Sequence, residues 1–312
     1  MRILVTGGAG FIGSNTVDAL VATGKHQVAV LDDLSSGKRE QVNPGARFYQ
    51  IDVRDAARIT EVIEREKPEV IYHLAAQMDV RRSVASPAFD AEVNLVGFLN
   101  LMEAARRTGL ARVIFSSTGG AIYGEQERFP CDEDHPRRPV SPYGVAKLAT
   151  ERYLFFYQVQ YGISYLALRY ANVYGPRQDP HGEAGVVAIF CGRLLAGQPA
   201  TIFGDGEQTR DYIFVGDVVR ANLAALESGY VGALNVGTGV ETSVNRLYQE
   251  LAGVAGVGER PAYAAARPGE QLRSVISPER AKRELGWQPQ VSLRDGLAQT
   301  FRFFRDAANR GA

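Results

Sequence analysis

A glycine-rich turn close to the N-terminus limits the fold of this chain more than any other feature. Gly7, Gly10 and Gly13 follow a short apolar run, residues 2–5, and precede residues 11–21, whose apolar positions have helical spacing. Glycines at these places allow a tight turn, a close approach of backbone to a pyrophosphate, and close packing of strand and helix. An ordinary turn is the alternative, but the flanking strand and helix favour a dinucleotide site.

The first half of the chain alternates short β-branched runs with longer segments that carry apolar residues at helical spacing. Helices are predicted over 56–65, 91–107 and 143–161, and strands lie between them. This alternation predicts an α/β fold with a Rossmann-type, doubly wound parallel sheet. After Gly175, proline and glycine become frequent and short strands mix with isolated helices, which predicts a smaller, mixed α/β C-terminal lobe.

Composition excludes several classes of protein. The 312 residues include 35 basic and 35 acidic side chains, so the net charge of zero gives no field that would attract nucleic acid or an anionic membrane. No apolar run approaches the roughly 20 residues of a membrane helix. Cys131 and Cys191 are too few for a disulfide framework, and the four histidines lack ligand spacing. We therefore expect a cytoplasmic protein without a metal ion.

Acidic residues after the second and third strands indicate which dinucleotide binds. Asp32 lies about 20 residues beyond the glycine turn, where a carboxylate accepts hydrogen bonds from an adenosine ribose and repels a 2′-phosphate. NAD is therefore favoured over NADP. The alternative is that the Lys38-Arg39 pair binds a phosphate group. Asp52 is placed to meet the adenine edge, or else to cap the next helix. The small residues of Leu74-Ala75-Ala76 suit a backbone that lies against a cofactor.

A tyrosine and a lysine four residues apart form the candidate chemical centre. Tyr143 and Lys147 share one face of a predicted helix, downstream of Ser116-Ser117-Thr118 at the end of a strand. A tyrosine with its ordinary pKa of about 10 is a poor base at neutral pH, and a neighbouring cation favours the phenolate. Together with the glycine turn, this pattern predicts Ser/Thr-Tyr-Lys chemistry.

Nine segments of the chain resemble one known family in order and spacing. They are VTGGAGFIGS (5–14), LDDL (31–34), HLAA (73–76), YGVAK (143–147), LRYANVYGP (168–176), RDY (210–212), GDV (216–218), NVG (235–237) and LGW (285–287). On these motifs the chain resembles an extended short-chain dehydrogenase/reductase, and most closely the UDP-glucose 4-epimerases. One stretch departs from that pattern, because residues 115–124 are one residue longer than usual. Counting from the strand assigns the catalytic hydroxyl to Thr118, with Ser117 as the alternative.

The resemblance implies two sets of binding residues and a division of the chain. An NAD-binding domain spans residues 1–174, with later segments returning to it, and residues 175–312 form mainly a nucleotide-sugar-binding lobe. The implied cofactor residues are Gly7, Gly10, Phe11, Ile12, Gly13, Asp32, Asp33, Leu34, Asp52, Val53, Leu74, Ala75, Ala76, Asn94, Tyr143, Lys147 and Tyr170. The implied substrate residues are Asn172, Arg210, Arg267, Glu270 and Ser274. A homodimer is implied as well.

The resemblance also implies an activity, NAD-dependent 4-epimerisation of a UDP-sugar through a 4-keto intermediate. Family members restricted to simple hexoses resemble one another in having a tyrosine where this chain has Ser274, so UDP-N-acetylglucosamine is expected as a substrate beside UDP-glucose. A 4,6-dehydratase of similar fold would carry an Asp-Glu pair where Gly119 and Gly120 stand. The alternatives that remain are another nucleotide-sugar oxidoreductase, a UDP-glucuronate 4-epimerase, and a non-catalytic NAD-binding sensor.

Overall fold

The strands of the computed structural model are short and mostly buried. The model describes residues 1–180, 185–258, 260–266 and 271–311. Its strands are β1 (Arg2–Thr6), β2 (Gln27–Asp32), β3 (Arg47–Gln50), β4 (Val70–His73), β5 (Arg112–Thr118), β6 (Ser164–Tyr170), β7 (Asn172–Tyr174), β8 (Thr201–Phe203), β9 (Thr209–Arg210), β10 (Tyr212–Phe214), β11 (Gly232–Val236), β12 (Thr242–Ser243), β13 (Ala262–Ala264) and β14 (Arg273–Ser274).

Helices connect these strands and cover the central sheet. The α-helices are α1 (Phe11–Ala22), α2 (Ala56–Glu66), α3 (Val80–Ala85), α4 (Pro87–Ala91), α5 (Gly97–Ala105), α6 (Pro142–Tyr161), α7 (Val186–Leu195), α8 (Val215–Glu227), α9 (Val244–Ala255), α10 (Glu279–Leu285) and α11 (Leu293–Gly311). Residues Arg39–Gln41 form a 3-10 helix and Glu92–Val96 form a π-helix.

A seven-stranded parallel sheet lies at the centre, in the order β11-β6-β5-β4-β1-β2-β3. Helices cover both of its faces, so its strands read as continuous apolar runs rather than alternating ones. The direction of winding reverses between β1 and β4, and ligands of such sheets bind at the carboxyl ends of the strands beside this reversal. The predicted Rossmann-type fold is confirmed, and β11 joins it from beyond residue 175.

Three small sheets and several helices make up the rest of the described chain. Strands β7 and β10 pair in parallel, β8 pairs with β13, and β9 lies between β12 and β14. A separate apolar cluster forms beneath them, in which α11 packs against α7 and α9. This cluster supports the short strands that face the end of the central sheet.

The structure differs from the sequence prediction over residues 91–107. Instead of one helix, α4 passes into the π-helix Glu92–Val96, and α5 begins at Gly97. Asn94 lies in this wider turn with its amide turned inward, where it donates to the Gln77 carbonyl and accepts from the Gln77 N–H, both at 2.9 Å. The apolar spacing continues through the π-helix, so periodicity did not reveal it.

The described ranges contain neither a membrane-spanning helix nor a cluster of metal ligands. Among these residues, no helix combines the length and apolar character that a membrane crossing requires. Within the same ranges, no three histidine, cysteine or acidic side chains converge as metal ligands would.

Candidate active site

The glycine turn packs against the end of β4. Gly7 has φ +70°, and a Cβ built on it would lie 2.6 Å from the backbone N of Ala75. A Cβ on Gly13 would lie 2.0 Å from the carbonyl oxygen of Gly7. No side chain fits at either position, so backbone alone lines this edge of the sheet. The first turn of α1 therefore offers its N–H groups to an anion, which fits a pyrophosphate.

Asp32 is held beside this turn at the end of β2. Its carboxylate accepts hydrogen bonds from the Ala9 N–H and the Leu34 N–H, both at 2.9 Å. Burial raises the pKa of Asp32, and these two backbone hydrogen bonds oppose the rise. Leu34 has φ +62°, which turns the chain back towards the carboxylate, whereas Asp33 is exposed. A fixed carboxylate here suits a ribose diol and disfavours a phosphate.

Local contacts bear on two alternatives that the sequence left open. Asp52 does not cap α2, because the side chain of Asp55 accepts from the Arg58 N–H and takes that position. Asp52 instead pairs with Arg54, whose hydrogen bond lowers the pKa of the carboxyl group. Val53 beside it is buried against Gly97. The Arg39 guanidinium lies 4.4 Å from the centroid of the Phe48 ring, which gives it a stacking role.

Backbone and amide groups form the wall beyond β4. The Leu74 N–H donates to the Thr6 carbonyl at 3.1 Å, which carries the β4 pairing past His73 towards Ala75 and Ala76. His73 is buried against Phe98 and Phe115, and burial lowers its pKa to about 3. It is therefore a neutral core residue.

Tyr143 and Lys147 lie in the first turns of α6, next to the end of β5. Ser141 caps this helix by accepting from the Gly144 N–H at 3.2 Å. The Lys147 Nζ donates to the Ser116 carbonyl at 2.8 Å and lies 5.7 Å from the centroid of the Tyr143 ring. Thr118, which accepts from the Ala121 N–H at 3.1 Å, lies near enough to Tyr143 to influence the pKa of its phenol. The structure thus brings the predicted hydroxyl, phenol and ammonium together.

Burial dominates the acid–base properties of this group. It raises the pKa of Tyr143 to about 12; the charge of Asp90 adds to the rise, and the Thr118 hydrogen bond opposes it. Burial also lowers the pKa of Lys147 to about 8, and Asp90 acts against that change. The sequence predicted that a nearby cation would favour the phenolate. Desolvation acts in the opposite direction and is the largest effect on the pKa of Tyr143.

Ser117 and Thr118 face different partners although they are adjacent. The Ser117 Oγ donates to the Glu151 carboxylate at 2.7 Å, and Arg169 pairs with the same carboxylate at 2.6 Å. All three side chains are buried. Sequence reasoning missed Glu151, because a pair that joins α6 to β6 leaves no local pattern.

Part of the predicted substrate set converges on the same edge. The Asn172 N–H donates to the Asp211 carbonyl at 2.9 Å, and β14 places Ser274 opposite Arg210 in β9. Ser274 is buried and Arg210 is half-buried. Next to them, a Cβ on Gly119 would lie 2.5 Å from the Ile276 Cδ1. The second lobe therefore touches the turn that follows Thr118.

Three other predicted residues and one that was missed lie at or outside this edge. Arg267 and Glu270 lie outside the described residues. Tyr170 ends β6 beside Thr118, and its hydroxyl donates to the Asn222 side chain at 2.7 Å. Sequence reasoning assigned no role to Asp90, although a carboxylate four residues before Asn94 in an apolar helical stretch is a signal for a buried polar contact.

Fold and cleft together define an NAD-binding protein of the Rossmann type. Residues 3–237 match the model of the NAD dependent epimerase/dehydratase family. Because this match covers most of the chain, the protein belongs to that family and uses NAD as its cofactor.

Individual relatives match over nearly their whole length. The UDP-glucose 4-epimerase of Mycolicibacterium smegmatis is 50% identical, over 98% of this chain and 99% of the relative. A solved UDP-glucose 4-epimerase of Thermotoga maritima with UDP-glucose is 50% identical, with a TM-score of 0.97, covering 99% of this chain and 100% of that one. The UDP-glucose 4-epimerase of Thermus thermophilus, solved in complex with NAD, is 47% identical, with a TM-score of 0.93 and coverage of 98% and 100%.

Proposed function

We propose that this protein interconverts the 4-epimers of a UDP-sugar, UDP-glucose and UDP-galactose and also their N-acetylated counterparts, through a 4-keto intermediate. One observation carries the proposal. Thr118, Tyr143 and Lys147 meet at the carboxyl edge of the sheet, between the glycine turn and the second-lobe strand that bears Ser274. A sugar held there would lie between an acid–base group and the cofactor.

Each side chain has a role that follows from its chemistry. NAD, when bound, supplies the hydride acceptor and donor for C4 of the sugar. Tyr143 removes the proton of the 4-hydroxyl group. It later returns the proton to the oxygen on C4, when that carbon has the opposite configuration. Thr118 hydrogen-bonds the same sugar oxygen, and the Lys147 ammonium stabilises the phenolate that forms.

Absence of an acid beside Thr118 favours epimerisation over elimination. A dehydratase must move protons at C5 and C6 and needs acidic side chains next to the threonine. Glycine stands at that place, and a side chain on Gly119 would need its neighbours to move, because its Cβ position lies 2.5 Å from Ile276 Cδ1 and 3.2 Å from the Tyr170 carbonyl oxygen. A 4-keto sugar formed here would be reduced again rather than dehydrated.

The second lobe is proposed to anchor the diphosphate and to admit a bulky C2 substituent. Arg210 supplies a cation beside Asn172, and Arg267 and Glu270 are expected to complete the site. Ser274 is small and buried on the strand next to Arg210. A serine leaves room for an acetamido group where a tyrosine would not.

We infer a homodimer from the outer face of α6. Val145, Phe156 and Val159 lie on one stripe of this helix and are exposed, whereas its opposite face packs on the sheet. An apolar stripe of this kind marks an interaction surface. A second copy of the same helix is a self-complementary partner under twofold symmetry.

We place the protein in the cytoplasm. Cys131 and Cys191 are both buried free thiols. Unpaired cysteines are typical of proteins that stay in a reducing compartment.

Proton NMR of separate incubations with UDP-glucose, UDP-N-acetylglucosamine and UDP-glucuronate tests the proposed function. We expect the galacto epimers of the first two without net NADH. If NADH accumulated in proportion to an oxidised sugar, the protein would be a net oxidoreductase. If UDP-glucuronate alone were converted, the protein would be a UDP-glucuronate 4-epimerase. A non-catalytic NAD sensor would convert none. Tyr143→Phe is the control: it should lower kcat by roughly 10²–10⁴-fold while NAD binding persists.

A further inference from the structure

Asp90, on the last turn of α4, is a carboxylate buried next to the candidate active site. It is 1% exposed. Its Oδ1 accepts from the Gln77 Nε2 at 3.0 Å and from the Asn94 Nδ2 at 2.9 Å. Asn94 and Gln77 are themselves fixed to each other through backbone hydrogen bonds. The carboxylate therefore has one orientation, set by amides on two sides.

The other oxygen of Asp90 has no hydrogen-bond partner. Its Oδ2 is buried, and no donor among the described residues reaches it. Leaving a buried carboxylate oxygen unpaired is costly, and such atoms are rare unless a charge nearby compensates. Helix α4 packs against α6, which carries Lys147. Lys147 is a buried cation whose described hydrogen bond is to a neutral carbonyl, that of Ser116.

The charged groups around Lys147 leave Asp90 as its counter-charge. His73 approaches from β4 and is uncharged. Glu151, one turn along α6, is already paired with Arg169. On α3, Arg81 and Arg82 are exposed, and Glu92 in the π-helix is exposed as well. Asp79, half-buried at the start of α3, accepts from the Arg82 N–H. Tyr143 is the group that Lys147 is proposed to serve.

We propose that Asp90 is a positioning residue for the reaction: its buried carboxylate supplies the counter-charge of the Lys147 ammonium from a place fixed by Gln77 and Asn94. This inference rests on the proposed function, in which Lys147 must be charged when Tyr143 ionises. Asp90 touches neither sugar nor cofactor in this role. It acts only through the lysine and the tyrosine.

The electrostatic effect has a definite sign. Lys147 carries its charge below a pKa of about 8 and loses it above that value. The negative charge of Asp90 raises this pKa, so its removal lowers the pH at which the ammonium is lost. Asp90 also raises the pKa of Tyr143, so its removal lets the phenol ionise at a lower pH. Both changes move the pH profile of activity to lower pH.

The test compares the pH profile of kcat/KM for Asp90→Asn with that of the unaltered enzyme. Asparagine keeps the shape and an acceptor for Gln77 while removing the charge. We expect the alkaline limb to move towards acid by about one pH unit or more, which means roughly tenfold lower activity above that limb. Glu64→Gln, an exposed charge removal on α2, is the matched control and should leave the profile unchanged. If Asp90→Asn does not fold, Asp90→Ala takes its place.

A second readout separates this proposal from the proposed function. The chain has five lysines, and of these only Lys147 is buried, so ¹⁵Nζ-lysine NMR can follow its titration directly, with Lys147→Arg identifying the resonance. A lower midpoint in Asp90→Asn supports the inference even if no sugar is converted. An unchanged midpoint, or an activity loss that is equal at every pH, would overturn it while leaving an active epimerase intact.

Discussion

At the scale of single residues, two neighbouring hydroxyl groups at the end of β5 have separate tasks. Ser117 is bound to the buried Glu151–Arg169 pair, whereas Thr118 faces Tyr143. A hydroxyl that already donates to a carboxylate is poorly placed to bond a sugar as well. The pair therefore offers a test of which residue takes part in the chemistry.

We predict opposite effects of Thr118→Ala and Ser117→Ala. Loss of Thr118 should reduce kcat by roughly 10²-fold, as for a donor to a reacting oxygen, with little change in stability. Loss of Ser117 should instead cost about 1.5–3 kcal/mol of unfolding free energy, because a buried carboxylate loses a donor. Steady-state kinetics and urea unfolding measure the two effects. The reverse order would assign the catalytic role to Ser117.

Ser274 should control the range of sugars. We predict that Ser274→Tyr abolishes conversion of the N-acetylated sugar and retains that of UDP-glucose, because the larger side chain fills the space proposed for the acetamido group. Ser274→Ala, which keeps the space, is the control and should convert both. Competitive assays with the two substrates give the ratio of kcat/KM values. An equal loss on both sugars by the tyrosine variant would contradict the proposed gate.

At the scale of elements, the first strand-to-helix connection depends on contacts that only glycine permits. We predict that Gly13→Ala sharply lowers NAD affinity and thermal stability, because the added Cβ meets the Gly7 carbonyl oxygen at 2.0 Å. Gly192→Ala in α7 is the matched control, since its Cβ would meet nothing within 4 Å. That change should be neutral or slightly stabilising. Calorimetric titration with NAD and thermal unfolding provide the measurements.

Elements that are determined by their own residues could be predicted from the sequence. Elements that depend on contacts with residues far away in the sequence could not. The glycine turn, the apolar run of β4 and the long helix α6 each follow from their own residues. The π-helix at residues 92–96 depends instead on Asn94 reaching Gln77, and its apolar spacing imitates an ordinary helix. The pairing of Glu151 with Arg169 likewise needs the fold before the two residues meet.

The same distinction holds for the candidate site. Tyr143 and Lys147 share one helix, so their spacing alone placed them together. Asp90, whose charge affects the pKa values of both, lies on another helix, and its partner Gln77 lies in the loop after β4. The acid–base behaviour of Tyr143 could not be predicted from the sequence either, because the desolvation that raises its pKa arises only when the chain is packed.

At the scale of the whole molecule, the exposed stripe of α6 should determine the oligomeric state. We predict that Val159→Glu converts a dimer into monomers, because a charge would be buried at the centre of the apolar contact. Val159 is 66% exposed and Val240, in the second lobe, is 59% exposed. Val240→Glu is therefore the matched control and should remain dimeric. Sedimentation equilibrium over a range of concentrations distinguishes these outcomes. If the unaltered protein were monomeric, the proposed homodimer would be wrong.

The contact between Gly119 and Ile276 links the two lobes across the candidate site. Its consequence concerns the mutational routes open to this chain. An acidic residue at position 119 would place its Cβ 2.5 Å from the Ile276 Cδ1, so the end of the isoleucine side chain would have to shift. A smaller side chain at 276 would remove that clash. We therefore expect epistasis between the two positions, in which the effect of an acidic residue at 119 depends on the side chain at 276.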